Sequence, residues 1–204
     1  MTDELNVLLL ESEPGAALVA RDELETAGHR VRYCHEPGGA AFPCNALLDG
    51  RTCPLEGEAI DVALDVRRYP RSQPTLREDG VMCALREHIP VVIAGAPAMS
   101  PYADYASATL DRNFDVVETV ERVAGATLER HTSAATSALQ EVLERRSITR
   151  MPKVAVRRRR GALLISVSGA GPLDVPTKSM AAVRMTAAVR AIDATARGVD
   201  VVFD

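Results

Sequence analysis

Asn6-Val-Leu-Leu-Leu-Glu-Ser-Glu-Pro14 decides the fold. Val7 to Leu10 form an unbroken apolar run that stops abruptly in acids. A run with no polar alternation is what a strand buried on both faces of a parallel sheet requires. Pro14 suits the first turn of a following helix, Leu18, Leu24 and several alanines give that helix an apolar side, and Gly28 offers its stop. Val31-Arg-Tyr-Cys34 reads as a second short strand. Asp61 to Val66 reads as a third, Val91 to Ala94 as a fourth and Ala108-Thr-Leu110 as a weak fifth. Strands alternating with helical stretches predict an α/β fold, a doubly wound five-stranded parallel sheet with any ligand site at the carboxyl ends of its strands.

The chain has 204 residues, 47% of them hydrophobic, enough to bury a core in one large or two small domains. Aromatics make up only 3%, with no Trp, so aliphatic and Ala packing must carry the core and base-stacking surfaces are disfavoured. No run approaches bilayer-spanning length, and the acidic start, Met1-Thr-Asp-Glu4, is unlike a signal peptide. A cytoplasmic protein with no membrane partner is therefore expected. Residues 151–204 hold nine Lys/Arg against four Asp/Glu, a net +5; with −4 for the whole chain, residues 1–150 carry −9. An acidic front and a basic tail suggest two units, and the acidic one is poorly suited to nucleic acid.

The order of runs over residues 6–125 resembles the response-regulator receiver family, whose fold is flavodoxin-like. In that family, acids after the first strand hold Mg²⁺, and an Asp ending the third strand accepts a phosphoryl group. A hydroxyl residue ending the fourth strand and a Lys ending the fifth organise the phosphorylated state. The resemblance puts Glu11 and Ser12 at the paired-acid positions with Glu13 beside them, Asp65 at the acceptor, Gly95 at the hydroxyl position and Arg112 at the Lys. The Pro that follows that Lys in the family is Asn113 here.

Each departure weakens the chemistry. Mg²⁺ demands near-octahedral oxygen geometry, so Ser12 for a carboxylate and a longer Glu11 make Mg²⁺ unlikely as a cofactor. Arg112 keeps a charge but not the shape of an ammonium, and Gly95 has no side chain to bond a phosphoryl oxygen. The expectation is a pseudo-receiver acting without phosphorylation. The plainer role for Asp65 is to cap a strand or to pair with Arg112 or Arg67.

Between the second and third strands, where the family has a short helix, lies an insert at residues 36–60 rich in Gly and Pro, with one short turn at 45–49. Cys34, Cys44, Cys53 and Cys83 leave three readings open. They could hold Zn²⁺ or an iron–sulfur cluster, with His35 as a further ligand, although no Cys-x-x-Cys pair is present. Cys44 and Cys53 could form a disulfide or redox switch. Or the thiols are small buried hydrophobes, the plainest reading for Cys83.

From Phe114 to Arg146 the pattern is helical, with Val116, Val120 and Val123 on one stripe and Leu139, Val142 and Leu143 on a second. Domains are expected at 1–125 and 151–204, joined by a helical linker at 126–150. The second stripe has no evident partner in the front unit, which suggests a spacer or a homodimer contact. Lys153–Val156 and Leu163–Val167 read as strands around a basic tip of Arg157, Arg158, Arg159, Arg160 and Gly161. Thr177 is expected to cap a helix with Ala182, Met185, Val189 and Ile192 on one face, and Val199–Phe203 closes a small ββαβ unit. That unit faintly resembles the alkaline-shock protein family. Four arginines invite a DNA-binding reading, but no helix-turn-helix or interleaved aromatic accompanies them, and a dock for a protein partner is the alternative. The four histidines are scattered and no phosphate loop or HExxH is present, so no enzyme is expected. The reading that best fits the sequence is a signalling protein of the two-component type working by protein–protein contact.

Overall fold

The computed structural model describes residues 4–35, 38–48, 50–56, 60–111, 115–159, 162–193 and 198–204, with Arg158 and Arg159 described in backbone only. The chain divides into two compact units, Met1–Gly125 and Ala126–Asp204.

The first unit contains β1 (Asn6–Glu11), α1 (Leu18–Thr26), β2 (Arg30–Tyr33), β3 (Val62–Val66), α2 (Asp79–Arg86), β4 (Val91–Gly95), β5 (Ala108–Asp111) and the start of α3 (Val116–Arg145). Its strands form one all-parallel sheet in the order β2-β1-β3-β4-β5, as in flavodoxin-like folds. Alternation explains the continuous apolar runs. Val7, Leu9, Val62, Leu64, Val92 and Ala94 pack on one face against Leu24 of α1 and Val120 and Val123 of α3. Leu8, Leu10, Ala63, Val91 and Ile93 pack on the other, against Val81 and Ala84 of α2. α1 ends where Gly28 turns left-handed at φ +89°, letting the His29 N–H reach back to the Leu24 carbonyl at 3.0 Å.

Two crossovers depart from strict strand–helix alternation. Among the described residues between β2 and β3, the only regular element is a 3₁₀ turn at Asn45–Leu47. Between β4 and β5 there is again a single 3₁₀ turn, Ala103–Tyr105. Among the described residues, one face of the sheet therefore carries two helices and the other only α2.

The second unit is β6 (Lys153–Arg159), β7 (Ala162–Ser168), α4 (Val175–Ile192) and β8 (Val199–Phe203), with the second half of α3. β7 is central, antiparallel to β6 and parallel to β8. The expected second stripe of α3 is part of this core. Leu139, Val142 and Leu143 are buried with Val156, Leu163, Ile165, Met185 and Val189, so the stripe is neither a spacer nor an open dimer face.

Two details of α4 correct the sequence reading. Its cap is Asp174, whose Oδ1 accepts the Thr177 N–H at 2.9 Å with Pro176 in the first turn, while Thr177 itself is buried. Its inward face is Ala181, Met185 and Val189, and Ile192 is exposed.

The arginines are also placed differently. β6 runs through Arg159, paired with Ala162, so Arg157, Arg158 and Arg159 lie along a strand and not on a loop tip. Arg160 lies outside the described residues. β6 is an edge of its sheet, and cationic residues on an edge discourage pairing with another chain. Replacing Leu139 by Ala should cost about 2–5 kcal/mol in urea unfolding, independent of protein concentration. A spacer position would leave the midpoint unmoved, and a dimer position would make it concentration-dependent.

Candidate functional site

The carboxyl ends of β1, β3 and β4 meet where the strand order reverses, the place open α/β sheets reserve for ligands. Register aligns Leu10 with Asp65 and Asp65 with Ile93, so Asp65 is enclosed by strands on both sides. Its residue exposure is 0%. Neither carboxylate oxygen finds a hydrogen-bond partner among the described residues. Burial above all, then the neighbouring Glu78 carboxylate, holds the Asp65 carboxyl well above the usual range, with Arg67 pulling the other way. Asp65 therefore sits beside Glu78 with its ionised form disfavoured.

Arg67 and Glu78 form the ion pair at the centre of this site. Arg67 Nε stands 3.0 Å from Glu78 Oε1, and both side chains are fully enclosed. The second Glu78 oxygen accepts the Thr75 N–H at 2.6 Å, half of a Thr75–Glu78 capping box that starts the turn before α2. Tyr102 lies buried nearby, its hydroxyl pushed up to about 12 by burial and by the Glu78 and Asp65 carboxyls. Removing one partner from such a buried pair costs about 3–5 kcal/mol, because the other charge is left without compensation. The expected pairing of Asp65 with Arg67 is thus replaced by Arg67 with Glu78.

The acids at the end of β1 are also taken. Glu11 Oε1 is 3.1 Å from Arg77 Nη1, and Arg77 also donates to the Gly39 carbonyl. Glu13 Oε1 is 3.3 Å from Arg71 Nε. Ser12 is buried; its hydroxyl donates to Glu13 and accepts the Arg68 N–H at 3.2 Å. Ser12 thus tightens the turn after β1 against the end of β3. Exposed Arg71 adds little energy, whereas Arg77, only 10% exposed, is a firmer partner.

Gly95 has a steric reason. Its φ is +89°, and a Cβ there would stand 2.5 Å from the Arg67 carbonyl oxygen. The end of β4 can hold no hydroxyl residue while the backbone at Arg67 follows its present course. Arg112 lies outside the described residues.

Sequence reasoning found Glu11, Ser12, Glu13, Asp65 and Gly95 but missed Arg67 as the partner of Glu78, and Arg71, Arg77 and Tyr102 altogether. The readable signal was Thr75-x-x-Glu78, a capping-box spacing.

His35 lines a cleft of about 30 Å³ with Glu11, Tyr33, Leu18 and Arg77, room for about a water molecule rather than a nucleotide. Burial and then Arg77 push its imidazole down. Its side chain lines the same cleft as Arg77 and Glu11.

All four cysteines are free. Cys34 is buried at the end of β2, and its thiol is pushed up to about 12 by burial first, then by Cys53, Cys83 and Cys44. Cys83 on α2 is raised by burial, opposed by Arg86, and further raised by Cys53 and Cys44. Among the described residues, no three His, Cys, Asp or Glu side chains stand as a ready-made metal set. Of the remaining histidines, His29 accepts the Leu5 N–H on Nδ1 at 3.3 Å and faces Glu121 with Nε2 at 3.2 Å. His131 faces Asp193 at 3.2 Å in the second unit. Both are interior ties.

No protein-family model and no curated protein matches this chain.

Asp65→Asn should report the state of the buried acid. A carboxyl raised on folding keeps the protein fully stable below its unfolded value, near pH 3.9, and destabilises it as pH rises through the folded value. The Asn variant should therefore match the wild type near pH 4 and exceed it at pH 7. The gap should grow by up to about 1.4 kcal/mol per pH unit within that window in denaturant titrations. A variant less stable at pH 7 would mean that Asp65 is ionised and held by partners.

Proposed function

We propose that the first unit is a receiver-type domain that has given up phosphorylation, and that the protein is a non-enzymatic regulatory protein working through protein–protein contact. One observation carries this reading: Asp65 is fully enclosed beside a buried Arg67–Glu78 pair, while Glu11 is held by Arg77. A phosphoacceptor must be an ionised, accessible nucleophile with a metal at its side. Burial pushes this carboxyl toward its neutral form, and the acids after β1 that would ligate Mg²⁺ are paired with Arg77 and Arg71 instead. The receiver switch depends on a hydroxyl at the end of β4 moving to the phosphoryl group, and the backbone beneath Gly95 leaves no space for one.

A binding role is supported by where apolar side chains meet solvent. Phe42 and Leu47 lie in the β2–β3 insert and Met99 and Tyr105 in the β4–β5 connection, each more than 60% exposed. Among the described residues, neither of these crossovers contains an α-helix. Exposed aromatics and Met are typical of contact surfaces.

Incubation with acetyl phosphate and Mg²⁺, followed by intact-mass and peptide mass spectrometry, should give no acyl phosphate, and beryllofluoride should leave the amide NMR spectrum unchanged. Labelling that disappears in Asp65→Asn would overturn the reading.

A further inference from the structure

The second sheet has two edges of opposite character. β6 carries Lys153 and Arg157, Arg158 and Arg159, whereas β8 reads Val199-Asp-Val-Val-Phe203, with no Lys, Arg or Pro to guard it. Register fixes which backbone groups of β8 are open. β8 runs parallel to β7 with Val199 beside Leu163. The Leu163 N–H donates to the Gly198 carbonyl at 2.8 Å, and the Asp204 N–H to the Val167 carbonyl at 3.1 Å. Alternate residues of a strand turn both backbone groups to the same neighbour, so Gly198, Asp200, Val202 and Asp204 face β7. The N–H and C=O of Val199, Val201 and Phe203 therefore point outward, and among the described residues no strand lies beyond them.

Side-chain burial stops short at the same edge. Val199, Val201 and Phe203 pack toward the core of the unit yet remain only partly buried. α4 does not close over them. An open groove runs between it and β8, lined by Val183, Ala187, Val199 and Val201, and Val183 is exposed.

We propose that the second unit pairs with a second copy of itself through β8, antiparallel and two-fold symmetric about Val201, joining two three-stranded sheets into one. In that register Val201 meets Val201 of the second copy, and Val199 meets its Phe203. Every outward N–H and C=O of these residues then finds a partner, because hydrogen-bonded pairs in an antiparallel ladder recur at every second residue. Opposed residues share a face, so Val199, Val201 and Phe203 of both copies continue one apolar layer beside the two grooves. Charge selects the register. Centred on Val201, each Asp200 lies opposite Val202 of the other copy. Centring on Asp200 would oppose the two Asp200 carboxylates, and centring on Val202 would oppose Asp200 to Asp204, both unfavourable. The edge is thus complementary to itself, as an isologous contact requires, while the arginines bar the same pairing at β6. Each copy already has its own core, so pairing adds to a finished fold and the cost of Leu139→Ala is the same in one copy or two. The contact rests on the second unit alone, and it can fail without touching the reading of the first.

The full chain tests this. Sedimentation equilibrium should show the mass rising from one chain toward two with concentration. Val201→Pro removes the N–H at the two-fold centre but no bond to β7, and should raise the dissociation constant about tenfold or more. Val202 is exposed on the face away from the core, so its variants leave the fold intact and carry the test even if Val201→Pro does not fold. Val202→Glu sets an acid opposite Asp200 at two symmetric places and should weaken pairing about three- to tenfold, and Val202→Lys should strengthen it by a similar factor. In the wild type, hydrogen exchange should show the amides of Val199, Val201 and Phe203 gaining protection as concentration rises. A chain that stays monomeric at millimolar concentration would overturn the proposal and leave the edge to a strand from another protein. A dimer indifferent to both Val202 variants, or one whose Val199, Val201 and Phe203 amides exchange freely, would overturn it equally.

Discussion

The enclosed Arg67–Glu78 ion pair is the constraint around which the first unit is arranged. A guanidinium and a carboxylate removed from water are tolerated only when each satisfies the other. Their positions are therefore fixed, and the neighbours must adapt. Asp65, next to Glu78, is pushed toward its neutral form by burial and by that neighbouring carboxylate. Gly95 must lack a side chain because the carbonyl of Arg67 passes where a Cβ would lie. Glu78 also opens the turn into α2, so the charge pair and the helix start are one device. The result is a single, fixed arrangement of charges at the carboxyl end of the sheet.

The sheet was readable in the sequence because its strands are buried on both faces, and Val7–Leu10, Val62–Leu64 and Val91–Ala94 have little freedom to be anything else. The boundaries of α4 were less clear because two good capping residues, Asp174 and Thr177, stand three apart. Pro176, better tolerated in a first turn than at a cap, favours Asp174. The arginine run looked like a loop because charge suggests solvent, yet its residues pair in register with Ala162, Leu163 and Leu164. The centre of the site was least legible. Arginine and glutamate are almost never fully buried, so nothing in the residues around Arg67 marks it as interior, and only the spacing from Thr75 hinted at the role of Glu78.

The insert follows a different logic from the rest of the fold. Elsewhere a crossover earns its place by burying an apolar stripe on the sheet. Here the described residues after β2 form no covering α-helix, and Cys34, Leu55 and Ile60 pack beside Val81. In the acid pocket the carboxylates are neutralised by arginines.

The helix α3 carries a consequence for autonomy. Proline and polar residues near Pro152 look like a seam, and a fragment beginning at Met151 would keep every strand of the second sheet. It would nevertheless lack Ala135, Leu139, Val142 and Leu143, which line one wall of that unit's interior. The seam visible in the composition is therefore not the seam of the folded protein, which falls inside a continuous helix at Gly125. Inheritance or exchange of the second unit as a self-sufficient module would have to carry that half-helix with it, cut within a continuous helix after Gly125.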